Sequence, residues 1–171
     1  MFKTKEYKTK IDYALGDVSK LPAFDMKLEA MLPVINREIP LKIHAHRADD
    51  ILTALRIVKE FDLDATFEHV TEGHFIADKL VASGFPLIVG PTLTGKSKYE
   101  LKNLSFDTAG ILQRAGAKVA ITTDSPVVPQ QYLGLSAGLA VKSGMDAYEA
   151  LKAITINPAE ILKLDDRIGS L

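Results

Sequence analysis

Two apolar rhythms alternate along this chain. Met26, Leu28, Met31 and Leu32 recur at helical spacing and predict a helix over 24–36. Pro40 then opens a short apolar run, Leu41 to Ala45, which reads as a strand. After it the two rhythms repeat. Helices are predicted over 49–61, 72–83, 106–115 and 130–143, and strands over 65–70, 86–89 and 118–123. Gly84, Gly116 and Gly144 stand where three of these helices end, as left-handed closing residues do. Asp146 with Glu149 forms a capping box, and Asn157-Pro158 opens a last helix. The polar, Lys-rich stretch 1–20 has only a weak helical period.

Strands near residues 43, 67, 88 and 121, each followed by a helix, make four consecutive β-α units. Alternation of this kind predicts an α/β fold with a parallel sheet. Right-handed crossovers place every strand's C-terminal end on one side. An open doubly wound sheet fits, and so does part of a (β/α)8 barrel, which takes about 250 residues when complete. No linker or low-complexity tract interrupts residues 1–171, so a single domain is expected: a helical lead-in over 1–40, the β-α units over 41–144 and closing helices over 145–171.

Chemistry in such folds gathers at the C-terminal strand ends. There the chain places His44-Ala45-His46-Arg47, then Glu68-His69, then Gly90-Pro91, then Thr122-Thr123-Asp124. Cysteine is absent, so any metal must be held by His, Asp or Glu. His44, His69 and Asp124 on one rim suit Zn²⁺, Mn²⁺ or Fe²⁺. A strand-end Asp124 can also take a proton from an activated water. His46 is read as a substrate contact, as a neighbour that orients the site, or as structural. Arg47 is read either as a substrate-carboxylate contact or as a surface residue. His74 is read as a solvated or capping residue, and Asp49 and Asp50 as helix caps.

A rival motif lies in 90–97. Gly90-Pro91-Thr92-Leu93-Thr94-Gly95-Lys96-Ser97 fits the phosphate-cradling pattern G-x-x-x-x-G-K-[ST], with Lys96 for the phosphates and Ser97 for Mg²⁺. A phosphate loop must run directly into a helix. Lys98 to Leu104 lacks a helical pattern, so an irregular loop that wraps no anion is expected here. A P-loop nucleotide-binding domain is kept as one alternative, and a non-catalytic α/β interaction domain as another.

Leu41-Lys42-Ile43-His44-Ala45-His46-Arg47-Ala48-Asp49-Asp50, Glu68-His69-Val70-Thr71-Glu72, Val89-Gly90-Pro91 and Ile121-Thr122-Thr123-Asp124-Ser125-Pro126 resemble the metal-dependent amidohydrolase superfamily. The imidazolonepropionase-like branch is the most similar. The tail from Ala150 to Ala159, and Arg167 to Leu171, are similar to that family's segment after its eighth strand. The resemblance implies that the four strands are strands 5–8 of a (β/α)8 barrel. It implies metal ligation by His44, His69 and Asp124, with Asp124 also the proton shuttle. It further implies a divalent metal, zinc first with manganese or iron as alternatives, and hydrolysis of a C–N bond in a linear or cyclic amide through metal-bound hydroxide. The family's His-x-His of strand 1 has no counterpart here. The chain therefore reads as a barrel fragment, inactive by itself.

Near-neutral net charge (−1) gives no general attraction to nucleic acid or an anionic surface. No apolar run is long enough to span a membrane, and the charged first ten residues are not a signal peptide. The expected setting is cytoplasmic, the partner a small amide substrate. Half a barrel would expose two sheet edges, around Ile43 and Ile121, so self-association through open edges is expected. Ile43, Phe67 and Ile88 are read as facing the barrel interior.

Overall fold

Four short strands, β1 (Leu41–Ala45), β2 (Ala65–His69), β3 (Leu87–Val89) and β4 (Val119–Ile121), form one sheet in the order β1-β2-β3-β4. This is a computed structural model, and it describes residues 1–170. β2, β3 and β4 run parallel, with Phe67 opposite Leu87 and Val89 opposite Ile121. The chain is α/β, and each strand lies where the apolar pattern predicts it.

The chain divides into two compact units, Met1–Leu41 with Arg56–Asp64, and Lys42–Leu55 with Ala65–Leu171. The expected lead-in, residues 1–40, falls in the first. There α1 (Phe2–Ala14) forms a better helix than its sequence advertises. Its buried positions are Thr4, Tyr7 and Ala14, a stripe of helical spacing. Thr and Tyr do not register as apolar, which hides the stripe. The Tyr7 hydroxyl donates to Glu29 Oε1 at 2.6 Å. Phe2 packs edge-on against Phe61, centroids 4.8 Å apart. Arg37 reaches Asp62 and Asp64 with three N–H···O bonds. The single helix predicted over 24–36 is instead two one-turn helices, α2 (Met26–Glu29) and α3 (Leu32–Ile35). Pro33 is the reason. It has no N–H to continue a helix, and its ring collides with the carbonyl four residues earlier.

In the second unit α5 (Ala77–Ser83), α6 (Thr108–Arg114), α7 (Leu133–Lys142), α8 (Ala147–Lys152) and α9 (Ile156–Ile161) follow the strands. α4 (Ala48–Phe61) begins in this unit. Several helices are shorter than predicted because their first turns are 3₁₀, at Gly73–Ile76 and Gln130–Tyr132. The core lies on one sheet face: Phe67, Leu87, Val89, Val119 and Ile121 are buried, together with Ile51, Leu80 and Leu112 from the helices. The other face carries Ile88 and Ala120 beside polar side chains. Thr66 donates to Glu68 Oε1 at 2.7 Å, and Lys42 Nζ approaches Thr66 Oγ1 and Glu68 Oε1 at 3.3 and 3.4 Å.

This corrects the reading of Ile43, Phe67 and Ile88 as one layer. Glu68 is in register with Ile88, so the period of two puts Phe67 on the opposite face. Ile43 likewise lies opposite Lys42. The expectation of two open edges also fails at β4. The Ile121 N–H donates to the Ala153 carbonyl at 2.9 Å, and the Val119 carbonyl accepts from Asn157 Nδ2 at 2.8 Å. The segment from α8 into α9 thus caps the edge that the sequence pattern leaves bare.

One glycine is obligatory. Gly90 follows β3 with φ +130°, and a Cβ there would run into the Thr122 carbonyl oxygen. The Gly90→Ala variant is expected to lose about 2 kcal/mol or more, a fall in Tm of roughly 5 °C. Calorimetry showing an unchanged Tm would contradict this placement.

Candidate active site

The rim is built by what happens immediately after each strand. His44 is the penultimate residue of β1, and His69 ends β2. His44 Nδ1 lies 2.9 Å from His69 Nε2, with the rings edge-on at 64°. His69 Nδ1 lies 2.8 Å from the Gly90 carbonyl oxygen. A carbonyl only accepts, so His69 Nδ1 carries the proton and donates. In the neutral ring Nε2 then keeps a lone pair, and it is His44 Nδ1 that donates to it. The remaining His44 nitrogen, Nε2, is also a lone-pair site. One backbone carbonyl at the end of β3 therefore sets the tautomers of both imidazoles.

His69 and Val70 both have positive φ, 71° and 48°. Two successive left-handed residues, one of them β-branched, are costly and persist only where the surroundings enforce them. Here the Val70 N–H donates to the Ala45 and Glu68 carbonyls, and the Glu72 N–H donates to His46 O at 2.8 Å. The kink turns His69 toward His44 instead of along the strand.

His46 stacks on His69, centroids 4.4 Å apart and planes within 12°. Its Nδ1 is 2.8 Å from Thr71 Oγ1, and its Nε2 is 3.8 Å from Glu100 Oε1. Burial, and then the neighbouring His69, push its pKa below the ordinary imidazole value. Arg47 has its guanidinium fork on Asp49, with two bonds of 2.9 Å, and its end lies 5.6 Å from the centroid of the Tyr99 ring. That carboxylate holds Arg47 more firmly charged, and the guanidinium in return lowers the pKa of Asp49. Asp49, in the first turn of α4, therefore also serves Arg47.

Glu72 also caps the start of α4. It is buried at 8 % exposure, and its Oε2 accepts the Ala48 N–H at 2.9 Å. Its Oε1 accepts Asn103 Nδ2 at 2.8 Å. One carboxylate thus ties together the loops after β1, β2 and β3. The sequence shows Glu72 only as a polar residue between Thr71 and Gly73, and nothing in its spacing marks this role.

Asp124 follows β4 in a left-handed conformation, φ 50°, with its N–H on Thr122 Oγ1 at 3.1 Å. His44 and His69 are brought together directly, whereas the Asp124 side chain bonds to neither. Among the described residues, no group of three or more His, Asp or Glu side chains is placed to hold one metal ion. His74 bonds through Nδ1 to Thr108 Oγ1 at 2.9 Å. The stretch 90–97 is irregular. The first helical turn after it is a 3₁₀ turn at Tyr99–Leu101, and Lys96 Nζ donates to the Lys102 carbonyl at 2.8 Å. With no helix N-terminus at Lys96 or Ser97, the amides have no phosphate-cradling geometry.

Histidines from two strand ends meet on one rim of a parallel α/β sheet, and comparison gives the family. The model of the amidohydrolase family matches residues 22–171. The structure of an amidohydrolase from Thermotoga maritima MSB8 superposes with a TM-score of 0.93 at 40 % identity, covering 99 % of this chain and 44 % of that one. This protein belongs to the amidohydrolase family. A metal-dependent hydrolase of uncharacterised function from Pyrococcus horikoshii OT3 shares the fold at TM-score 0.60 and 18 % identity, over 78 % of this chain and 32 % of its own. A further amidohydrolase structure does so at 0.58 and 20 %, over 78 % and 35 %. No curated protein matches the chain. The chain spans less than half the length of each of these structures.

Two outcomes follow from the rim. His46 is expected to titrate below about 6.5, the ordinary value, in an NMR titration of its ring protons. A depressed imidazole pKa means the unfolded chain binds the proton more readily. Its contribution to stability is complete above about pH 6.5 and is lost as pH falls through the lower folded value. Urea midpoints should therefore drop over that window, and less so for His46→Gln. Separately, Glu72→Ala strands the Asn103 amide and the Ala48 N–H, which should cost about 1–3 kcal/mol. A urea melt with an unshifted midpoint would show that the three loops do not depend on Glu72.

Proposed function

We propose that this chain is the C-terminal half, strands 5–8, of the (β/α)8 barrel of a metal-dependent amidohydrolase of the imidazolonepropionase-like branch. The activity of the whole enzyme is hydrolysis of a C–N bond in a linear or cyclic amide. The observation that carries the reading is the imidazole pair. His69 has the Nδ1–H···O=C bond that orients metal-ligating histidines; its Nε2 lone pair accepts the His44 N–H here and would serve a metal once that bond is exchanged for the ion.

His44 and His69 fit two positions of a coordination sphere for a divalent ion, zinc first, with manganese or iron as alternatives. Further ligands lie outside the imidazole pair, in agreement with a chain spanning 44 % of its Thermotoga relative. When bound, such an ion acts as a Lewis acid and acidifies water. Asp124, at the end of β4, is assigned as the carboxylate that holds and passes the proton. His46 braces the His69 ring by stacking and keeps water from one of its faces. Arg47 reaches a substrate carboxylate by exchanging its Asp49 partner, so the amide substrate is placed on the β1 side of the rim. No described helix is long and apolar enough to cross a membrane. The proposed setting is cytoplasmic.

The 171-residue chain alone is expected to show no appreciable amide hydrolysis with Zn²⁺, Mn²⁺ or Fe²⁺. Zn²⁺ should still shift the ring signals of His44 and His69 in NMR, weakly, and His69→Ala should abolish the shift at His44. Metal-dependent turnover that survives removal of contaminating enzyme would overturn the fragment reading. Unmoved histidine signals at excess Zn²⁺ would overturn the ligand assignment.

A further inference from the structure

We propose that Tyr99 and Lys102, on the turn after β3, complete a carboxylate-binding site with Arg47, and that the amide substrate of this rim carries a free carboxylate a few bonds from the bond that is cleaved, as an N-acyl amino acid does. This rests on the hydrolase reading above, in which Arg47 alone meets the substrate carboxylate. The Arg47 guanidinium carbon lies 5.6 Å from the centroid of the Tyr99 ring, and Lys102 Nζ lies 4.5 Å from the same centroid. Lys102 Nζ also donates to the Tyr99 hydroxyl at 2.9 Å. Two cationic ends from different loops thus meet at one phenol.

The donors left over suit an oxygen anion. Arg47 commits Nε and Nη2 to Asp49, and its Nη1 has no hydrogen-bond partner among the described residues. A carboxylate can therefore arrive before the Asp49 bonds break. The Tyr99 hydroxyl accepts from Lys102, and no described residue accepts its own proton. Lys102 has no carboxylate partner among the described residues. Glu100 does not supply one, because it lies 3.5 Å from Lys98 Nζ and 3.8 Å from His46 Nε2. With Arg47 balanced by Asp49 and Lys98 by Glu100, one positive charge remains, on Lys102. Its hydrogen bond and field, and then the field of Arg47, hold the Tyr99 phenol below the ordinary tyrosine range. An incoming carboxylate meets guanidinium, phenol and ammonium donors, and charge-assisted bonds of this kind are the strong ones.

The turn is fixed before any ligand arrives. Tyr99–Leu101 is 3₁₀, with Leu101 buried. Side chains at i and i+3 eclipse in such a turn, which brings Lys102 over Tyr99. Lys96 Nζ holds the Lys102 carbonyl, and Asn103 is tied to Glu72. The place is beside the imidazole pair. Arg47 follows His46, which stacks on His69, and Tyr99 precedes Glu100, whose carboxylate faces His46. Both halves of the carboxylate site are therefore one residue from groups packed around His69.

Binding is the readout, because the chain alone is expected to be inactive. Without metal, N-acetylglycine is compared with N-acetylglycinamide, the same amide lacking the carboxylate, in matched sodium chloride. The Arg47 Nε–H and the backbone amides of Tyr99 and Lys102 are followed by NMR. N-acetylglycine should give saturable shifts with a Kd in the millimolar range, and N-acetylglycinamide should give none. Lys102→Gln and Tyr99→Leu, both at exposed positions, should each weaken binding by roughly fivefold or more. Circular dichroism checks their folding, and if either fails to fold the comparison of the two compounds decides. Equal shifts with both compounds, no saturable shift with N-acetylglycine, or binding that either folded variant leaves unchanged would overturn the proposal. Binding of N-acetylglycine while His44 and His69 ignore Zn²⁺ would support this site and fault the metal reading. A Zn²⁺ response without N-acetylglycine binding would overturn this site and leave the metal reading standing.

Discussion

The bond from His69 Nδ1 to the Gly90 carbonyl is the constraint on which the rim depends. It joins the ends of β2 and β3, fixes one tautomer directly and another through the His44 contact, and puts the His69 Nε2 lone pair on the His44 N–H. It requires Gly90, because any side chain there collides with the Thr122 carbonyl. It also requires the left-handed pair His69–Val70, which swings the ring off the strand axis. The local strain is held by backbone bonds from Val70 and Glu72 to the loop after β1. Strain, glycine and tautomer form one arrangement.

Around it the structure separates support from chemistry. Glu72 is buried and accepts from two donors on different loops, so it holds loops in place and has no spare oxygen aimed at a ligand. Arg47 and Asp49 form a charge-assisted fork of the strong bidentate kind. It is exposed enough for water to compete. Burial favours the neutral form of His46, which lies flat on His69.

The two faces of the sheet have different physics. Phe67, Leu87, Val89, Val119 and Ile121 are sealed beneath helices and supply the apolar burial that holds the second unit together. Lys42, Thr66 and Glu68 on the opposite face satisfy one another instead.

By itself the sequence determined the order of elements, because apolar spacing records which side of each element is buried. The strand positions, the irregular loop after β3, the candidate residues His44, His69 and Asp124, and the family were all legible in local patterns. Where periodicity was read too simply it misled. Pro33 split one predicted helix, and the helical stripe through Thr4 and Tyr7 passed unnoticed because its residues are not apolar. The role of Glu72, the capping of β4 by Ala153 and Asn157, and the tautomers of the histidine pair were decided only by tertiary structure. Each depends on a hydrogen bond between residues 20 or more positions apart. Such bonds have direction and distance but no period, so nothing in the local spacing of residues announces them.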